Sequence, residues 1–78
     1  MKVNIKYFGM IAEHTNCDSE TINLEVNNTL NLRDYFENRF SNINKFNYKI
    51  AINQQITDKL DSNLTECEIA LLPPFAGG

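Results

Sequence analysis

The sequence has no tryptophan, one histidine, two cysteines and two prolines, and two of its three glycines are the last two residues. Each scarcity narrows what the chain can do. A metal site needs several convergent ligands, and His14 with Cys17 three residues on does not complete one. A plant-type iron–sulfur cluster takes four cysteines, and only Cys17 and Cys67 exist. Two isolated cysteines suit a reducing compartment, so the expected location is cytoplasmic. Excess positive charge is also lacking. Seven Lys and Arg stand against ten Asp and Glu, net charge −3, with the cations scattered from Lys2 to Lys59. No basic stripe is available for a phosphate backbone, which argues against nucleic acid. Mild acidity is compatible with docking onto a basic partner surface. No apolar run approaches the ~20 residues of a membrane span, and the start, Met1 to Lys6, alternates instead of forming a signal-peptide core. At 78 residues the chain has room for one small core, since such a domain buries only about 60% of its unfolded surface. A deep substrate cavity does not fit, so a self-contained pocket enzyme is disfavoured.

What is present is an orderly alternation. Val3, Ile5 and Tyr7 interleave with Lys2, Asn4 and Lys6, the period-two signature of a half-buried strand. Thr21 to Val26 repeats it, with Ile22, Leu24 and Val26 on one face and a turn at Asn27-Asn28. Leu32, Phe36 and Phe40 then recur every four residues, widened by Tyr35, and predict a helix. Thr29 or Asn31 caps its start, Asp34 favours the helix dipole, and Ser41-Asn42 with Asn44 ends it. Tyr48, Ile50 and Ile52 mark a third strand and Cys67 to Leu72 a fourth, stopped by Pro73-Pro74. A short helical turn is expected over Met10 to His14. The order strand, strand, long helix, strand, strand predicts an α+β fold, a mixed sheet with one main helix packed across it. The last strand is expected to pair in parallel with the first. The many asparagines read as genome bias or surface filler, not as a prion-like tract.

Two positions break the inside-apolar rule, and Ile56 joins them. Phe8 shares its parity with Lys2, Asn4 and Lys6, so it belongs to the polar face or the strand end. Leu71 and Leu72 are adjacent, so one of them points away from the core. Ile56 follows the third strand. Together Phe8, Ile56 and Leu72 are the expected partner surface.

The end of the sequence is Leu71-Leu72-Pro73-Pro74-Phe75-Ala76-Gly77-Gly78. Two prolines favour a stiff, polyproline-like exit. Phe75 offers one apolar anchor, and Ala76-Gly77-Gly78 tapers to almost no side-chain width, with glycine backbone freedom at the tip. Such a tail fits a narrow channel in a partner and presents a carboxylate there. Residues 1–72 are the expected domain and 73–78 the tail.

This ending, with the Val3 to Phe8 strand and the segment Ile50-Ala51-Ile52-Asn53-Gln54, resembles the molybdopterin synthase small subunit. That family belongs to the ubiquitin-like sulfur carriers (MoaD/ThiS), which include the thiamine-pathway carrier. The resemblance spans nearly the whole chain and implies a β-grasp fold. The prolines before the diglycine resemble the molybdopterin branch more than the thiamine branch. Departures are Asn16 in place of a turn glycine, Thr65-Glu66-Cys67-Glu68 where an acidic glycine turn is usual, and Phe75 in place of a smaller aliphatic residue. The resemblance implies that Gly78 is adenylated by a ubiquitin-activating-like enzyme that consumes ATP. A persulfide donor then converts it to a thiocarboxylate, and the large synthase subunit moves the sulfur onto a cyclic pterin phosphate. Pro73, Pro74, Phe75, Ala76 and Gly77 would lie in the partner channel. The small subunit would bind no cofactor and have no catalytic pocket of its own. A ubiquitin-like modifier forming isopeptide bonds is the reading from another class, and a plain interaction module a further one.

Overall fold

The computed structural model describes residues 1–27 and 29–74 of the chain. Ten elements follow one another: β1 (Lys2–Tyr7), α1 (Gly9–Thr15), β2 (Ser19–Asn23), β3 (Thr29–Asn31), α2 (Leu32–Arg39), a 3-10 turn (Ile43–Phe46), β4 (Lys49–Ile52), β5 (Gln55–Ile56), β6 (Lys59–Asp61) and β7 (Glu66–Leu72). Five strands form one sheet in the order β2-β1-β7-β4-β5, and β3 pairs with β6 apart from it. β1 and β7 are parallel at the centre, with Val3 opposite Cys67 and Tyr7 opposite Leu71, while β2 and β4 flank them antiparallel. The parallel centre is what a chain returning through a helical crossover produces.

One face of this sheet is covered and one is open. Val3, Ile5 and Tyr7 from β1, Ile50 and Ile52 from β4 and Cys67, Ile69 and Leu71 from β7 all point to the covered face and are buried. α2 lies over it. Leu32 and Phe36 reach zero exposure, and Tyr7 meets Phe36 and Phe40 edge-on at 6.3 and 5.8 Å. Each large apolar side chain so buried contributes about 1.5–3 kcal/mol over its exposed state, so α2 is held chiefly by this face. Asn31 caps the helix, its Oδ1 accepting from the Asp34 amide at 3.1 Å. Thr29 has no part in the cap, because it pairs with Asp61 in β3.

A polar clamp closes the side of the core. Tyr7 Oη donates to Glu20 Oε2 at 2.7 Å, and Arg39 donates to the other carboxylate oxygen at 2.5 Å. Strands β1 and β2 are thereby tied to the last turn of α2. Burial alone would raise the Glu20 carboxyl. The hydrogen bonds from Arg39 and Tyr7, with the guanidinium charge, outweigh burial and hold it below the usual carboxylate range. Tyr7 shifts the opposite way, upward, through burial first and its bond to Glu20 second.

The structure corrects four local readings. The second strand is Ser19–Asn23 instead of Thr21 to Val26, because the antiparallel register sets Asn23 opposite Lys2 and Ser19 opposite Lys6, and Glu25 and Val26 lie outside this ladder. The strands β3, β5 and β6 run for two or three residues, too few for an alternation to show. The turn before the last strand precedes Thr65–Glu68: Asp61 Oδ1 accepts from the Asn63 amide at 2.9 Å, and Glu66 already opens β7. Finally, the asparagines are more than filler. Asn16, Asn42, Asn47 and Asn53 all take positive φ, between 50° and 64°. Asparagine tolerates that left-handed region better than other side chains. At Asn16, which ends α1, it does the work of the missing turn glycine.

Candidate functional site

The open face of the sheet carries the residues that broke the polar pattern. Alternation sends Lys6, Ala70, Ala51 and Ile56 to this face as one row across β1, β7, β4 and β5. Leu72 and Lys49 form the next row. Phe8 follows Tyr7, which is opposite Leu71, so Phe8 and Leu72 leave the parallel pair side by side. Phe8 is 42% exposed and Ile56 64%, while Leu72 is half-buried and Leu71 fully buried. The three residues therefore share one face without forming one tight cluster. Ile56 stands two strands from Leu72, roughly 10 Å at normal strand spacing. Between them lie Ala51 and Ala70, whose short side chains make a low floor.

Met10 adds to this surface and is missing from the sequence reading. It is 52% exposed, two residues after Phe8. Its signal was an apolar residue in a short helix whose inward position belongs to Ile11.

The root of the tail departs from the open end of β7. Pro73 and Pro74 are both half-buried, and Pro74 lies in a turn where a polyproline-like exit was expected. Pro73 rests against the start of α1. Gly9 there has φ +58°, and a side chain at Gly9 would place its Cβ 3.2 Å from Pro73 Cγ. Both the backbone angle and the close approach call for glycine. Phe75, Ala76, Gly77 and Gly78 lie outside the described residues.

Other chemistry-bearing side chains have structural partners. His14 Nε2 is 2.7 Å from the Ser41 carbonyl, and its ring meets Phe46 edge-on at 5.1 Å. Cys67 is buried in the core, which pushes its thiol pKa up. Cys17 Sγ donates to the Ser19 carbonyl at 3.2 Å. Glu68 pairs with Lys6 at 3.5 Å in solvent. Among the described residues no group of three or more His, Cys, Asp or Glu converges on a metal position. No helix there is long and apolar enough to cross a membrane.

A mixed five-stranded sheet with a parallel central pair, one helix laid across a single face and a tail leaving the last central strand define a β-grasp, ubiquitin-like domain. A solved structure from Pyrococcus furiosus, named provisionally as molybdopterin converting factor, subunit 1, shares this fold. Its TM-score is 0.66 at 22% identity, with 95% of this chain and 98% of that one covered. The sequence model of the ThiS family matches residues 5–78. The chain belongs to the ThiS family, a family of sulfur carriers. No curated protein matches it.

Proposed function

We propose that the chain carries sulfur as a thiocarboxylate on Gly78 and delivers it as the small subunit of molybdopterin synthase. A free carboxylate is a poor acylating group, because its leaving group would be oxide. An adenylating partner removes that obstacle by spending ATP to make the glycyl adenylate. The outer sulfur of a persulfide donor then displaces AMP to give an acyl disulfide, and a second thiol of the donor system cleaves its S–S bond, releasing the thiocarboxylate and leaving a disulfide behind. The large subunit takes the tail, from Pro73 to Gly77, into a channel, where its own acid–base groups transfer sulfur to a cyclic pterin phosphate. A tethered thiocarboxylate replaces free sulfide with an oriented, locally concentrated reagent. Phe8, Ile56 and Leu72 dock the domain while the tail reaches inward.

The observation that carries this reading is that Pro73-Pro74 leave the last core strand at the edge of an apolar open face, and that the sequence then runs through Phe75 and Ala76 to Gly77-Gly78. The covered face is committed to α2, so the open face is the one left for a partner. The reading is tested by appending one residue after Gly78, or deleting Gly78, in a reconstituted synthase. Sulfur transfer is expected to vanish with the melting temperature unchanged. Full activity of the extended chain, with trimming excluded by mass spectrometry, would refute it.

The family match also favours a second reading, a carrier for the thiamine pathway. The two part on which large enzyme co-purifies with the chain, and the paired prolines favour the synthase.

A further inference from the structure

The chain's net charge of −3 points toward a basic partner, but the open face carries charges of both signs, with Glu68 beside Lys6, and two of its lysines, Lys6 and Lys49, flank the apolar patch. Lys49 sits directly opposite Leu72, and Lys6 directly opposite Ala70, on the same face as Ile56. Both lysines are exposed. Lys6 has one partner, Glu68 at 3.5 Å, with both side chains about half exposed. Such a pair is weak and readily exchanged. Lys49 makes no ion pair among the described residues. The nearby Arg33 is already matched by Asp58 at 3.6 Å.

We infer that this face recognises a protein surface with an apolar centre flanked by carboxylates, and that Lys6 and Lys49 provide the charged half of that recognition. The occupant is the large synthase subunit, so the inference rests on the function proposed above. A lysine stem lies along apolar surface while its ammonium stays in water at the rim. An all-apolar partner would strip water from two ammonium groups without compensation. Carboxylates at those positions instead speed encounter, fix the docking register and reject partners that lack them. A second copy of the chain fits poorly. A two-fold interface centred on β7 would set Lys6 toward Lys49 of the other copy, like charge against like. The geometry thus assigns specificity to two residues that the overall acidity conceals.

The test compares two double variants with the same change in net charge. Lys6→Glu with Lys49→Glu reverses the rim, whereas Lys45→Glu with Lys59→Glu reverses charges off the five-stranded sheet, on the 3-10 turn and on β6. Binding to the large subunit from the same organism is followed by surface plasmon resonance at low and high salt. The rim variant is expected to associate about tenfold more slowly at low salt, with the gap closing at high salt, as charge steering requires. The control pair is expected to stay within about threefold of wild type. Equal slowing of both variants, or a rim variant that binds as wild type does, overturns the inference and leaves the carrier reading standing. Absence of wild-type binding removes both. Self-association abolished by Ile56→Ser would name a second copy as the occupant and overturn the inference as well.

Discussion

Replacing Phe8 and Ile56 together by serine tests the docking face at the two positions where the apolar area is most accessible. Full burial of a large apolar side chain contributes about 1.5–3 kcal/mol. Ile56 is 64% exposed in the free domain, which leaves roughly 1–2 kcal/mol of that to be gained on docking. Phe8, at 42%, leaves roughly 0.6–1.3 kcal/mol. The pair together is therefore worth on the order of 2 kcal/mol, or about a 30-fold loss of affinity. Leu72 is kept, because it is half-buried on β7 and its loss would mix docking with folding. Titration calorimetry against the large synthase subunit measures the effect, and urea unfolding of the free chain is the control. The double variant is expected to bind about 30-fold more weakly with little change in unfolding midpoint. A loss under about threefold in a folded variant would show that the open face does not dock, and the placement of Phe8 and Ile56 would be incidental.

Two further outcomes follow from the core. Glu20→Gln is expected to lower stability by about 1.5–3 kcal/mol near neutral pH, the worth of a hydrogen bond to a charged group. The folded carboxyl is held below its unfolded value, so its contribution is present above the unfolded pKa and is lost as pH falls through the folded one. Urea midpoints of variant and wild type should therefore converge in acid, below the usual carboxylate range, and a constant gap across pH would contradict the clamp. Phe36→Ala removes a fully buried ring that Tyr7 meets edge-on and that stacks with Phe40. A cost of about 3–5 kcal/mol is expected from thermal unfolding, and a loss below about 1 kcal/mol would mean that α2 is not anchored there.

The fold was largely legible because its strong elements are periodic. Val3-Ile5-Tyr7 and Ile69-Leu71 alternate, and Leu32-Phe36 spaces at four, so the two central strands and the main helix could be placed by pattern alone. What escaped was set by tertiary register. Thr21 to Val26 alternates as well as any strand, yet the ladder with β1 is set by register and runs from Ser19 to Asn23, with Leu24 bonded to Met1. β3 and β6 exist only through each other, and a three-residue pairing leaves no periodic trace. The asparagines at positive φ were invisible because composition does not report backbone angle. At the candidate site, Phe8 announced itself by breaking parity and Leu72 by its adjacency to Leu71. Met10 and the lysine pair did not, because only the sheet order reveals that Lys6 and Lys49, far apart in sequence, flank one patch.

The most direct measurement is mass spectrometry of the chain after incubation with the ubiquitin-activating-like enzyme, ATP and a persulfide donor. Replacement of one oxygen by sulfur, localised by fragmentation to Gly78, is the result expected of a thiocarboxylate carrier. An unmodified Gly78 in the presence of a demonstrably active enzyme, or a sulfur found only on Cys17 or Cys67, would contradict it.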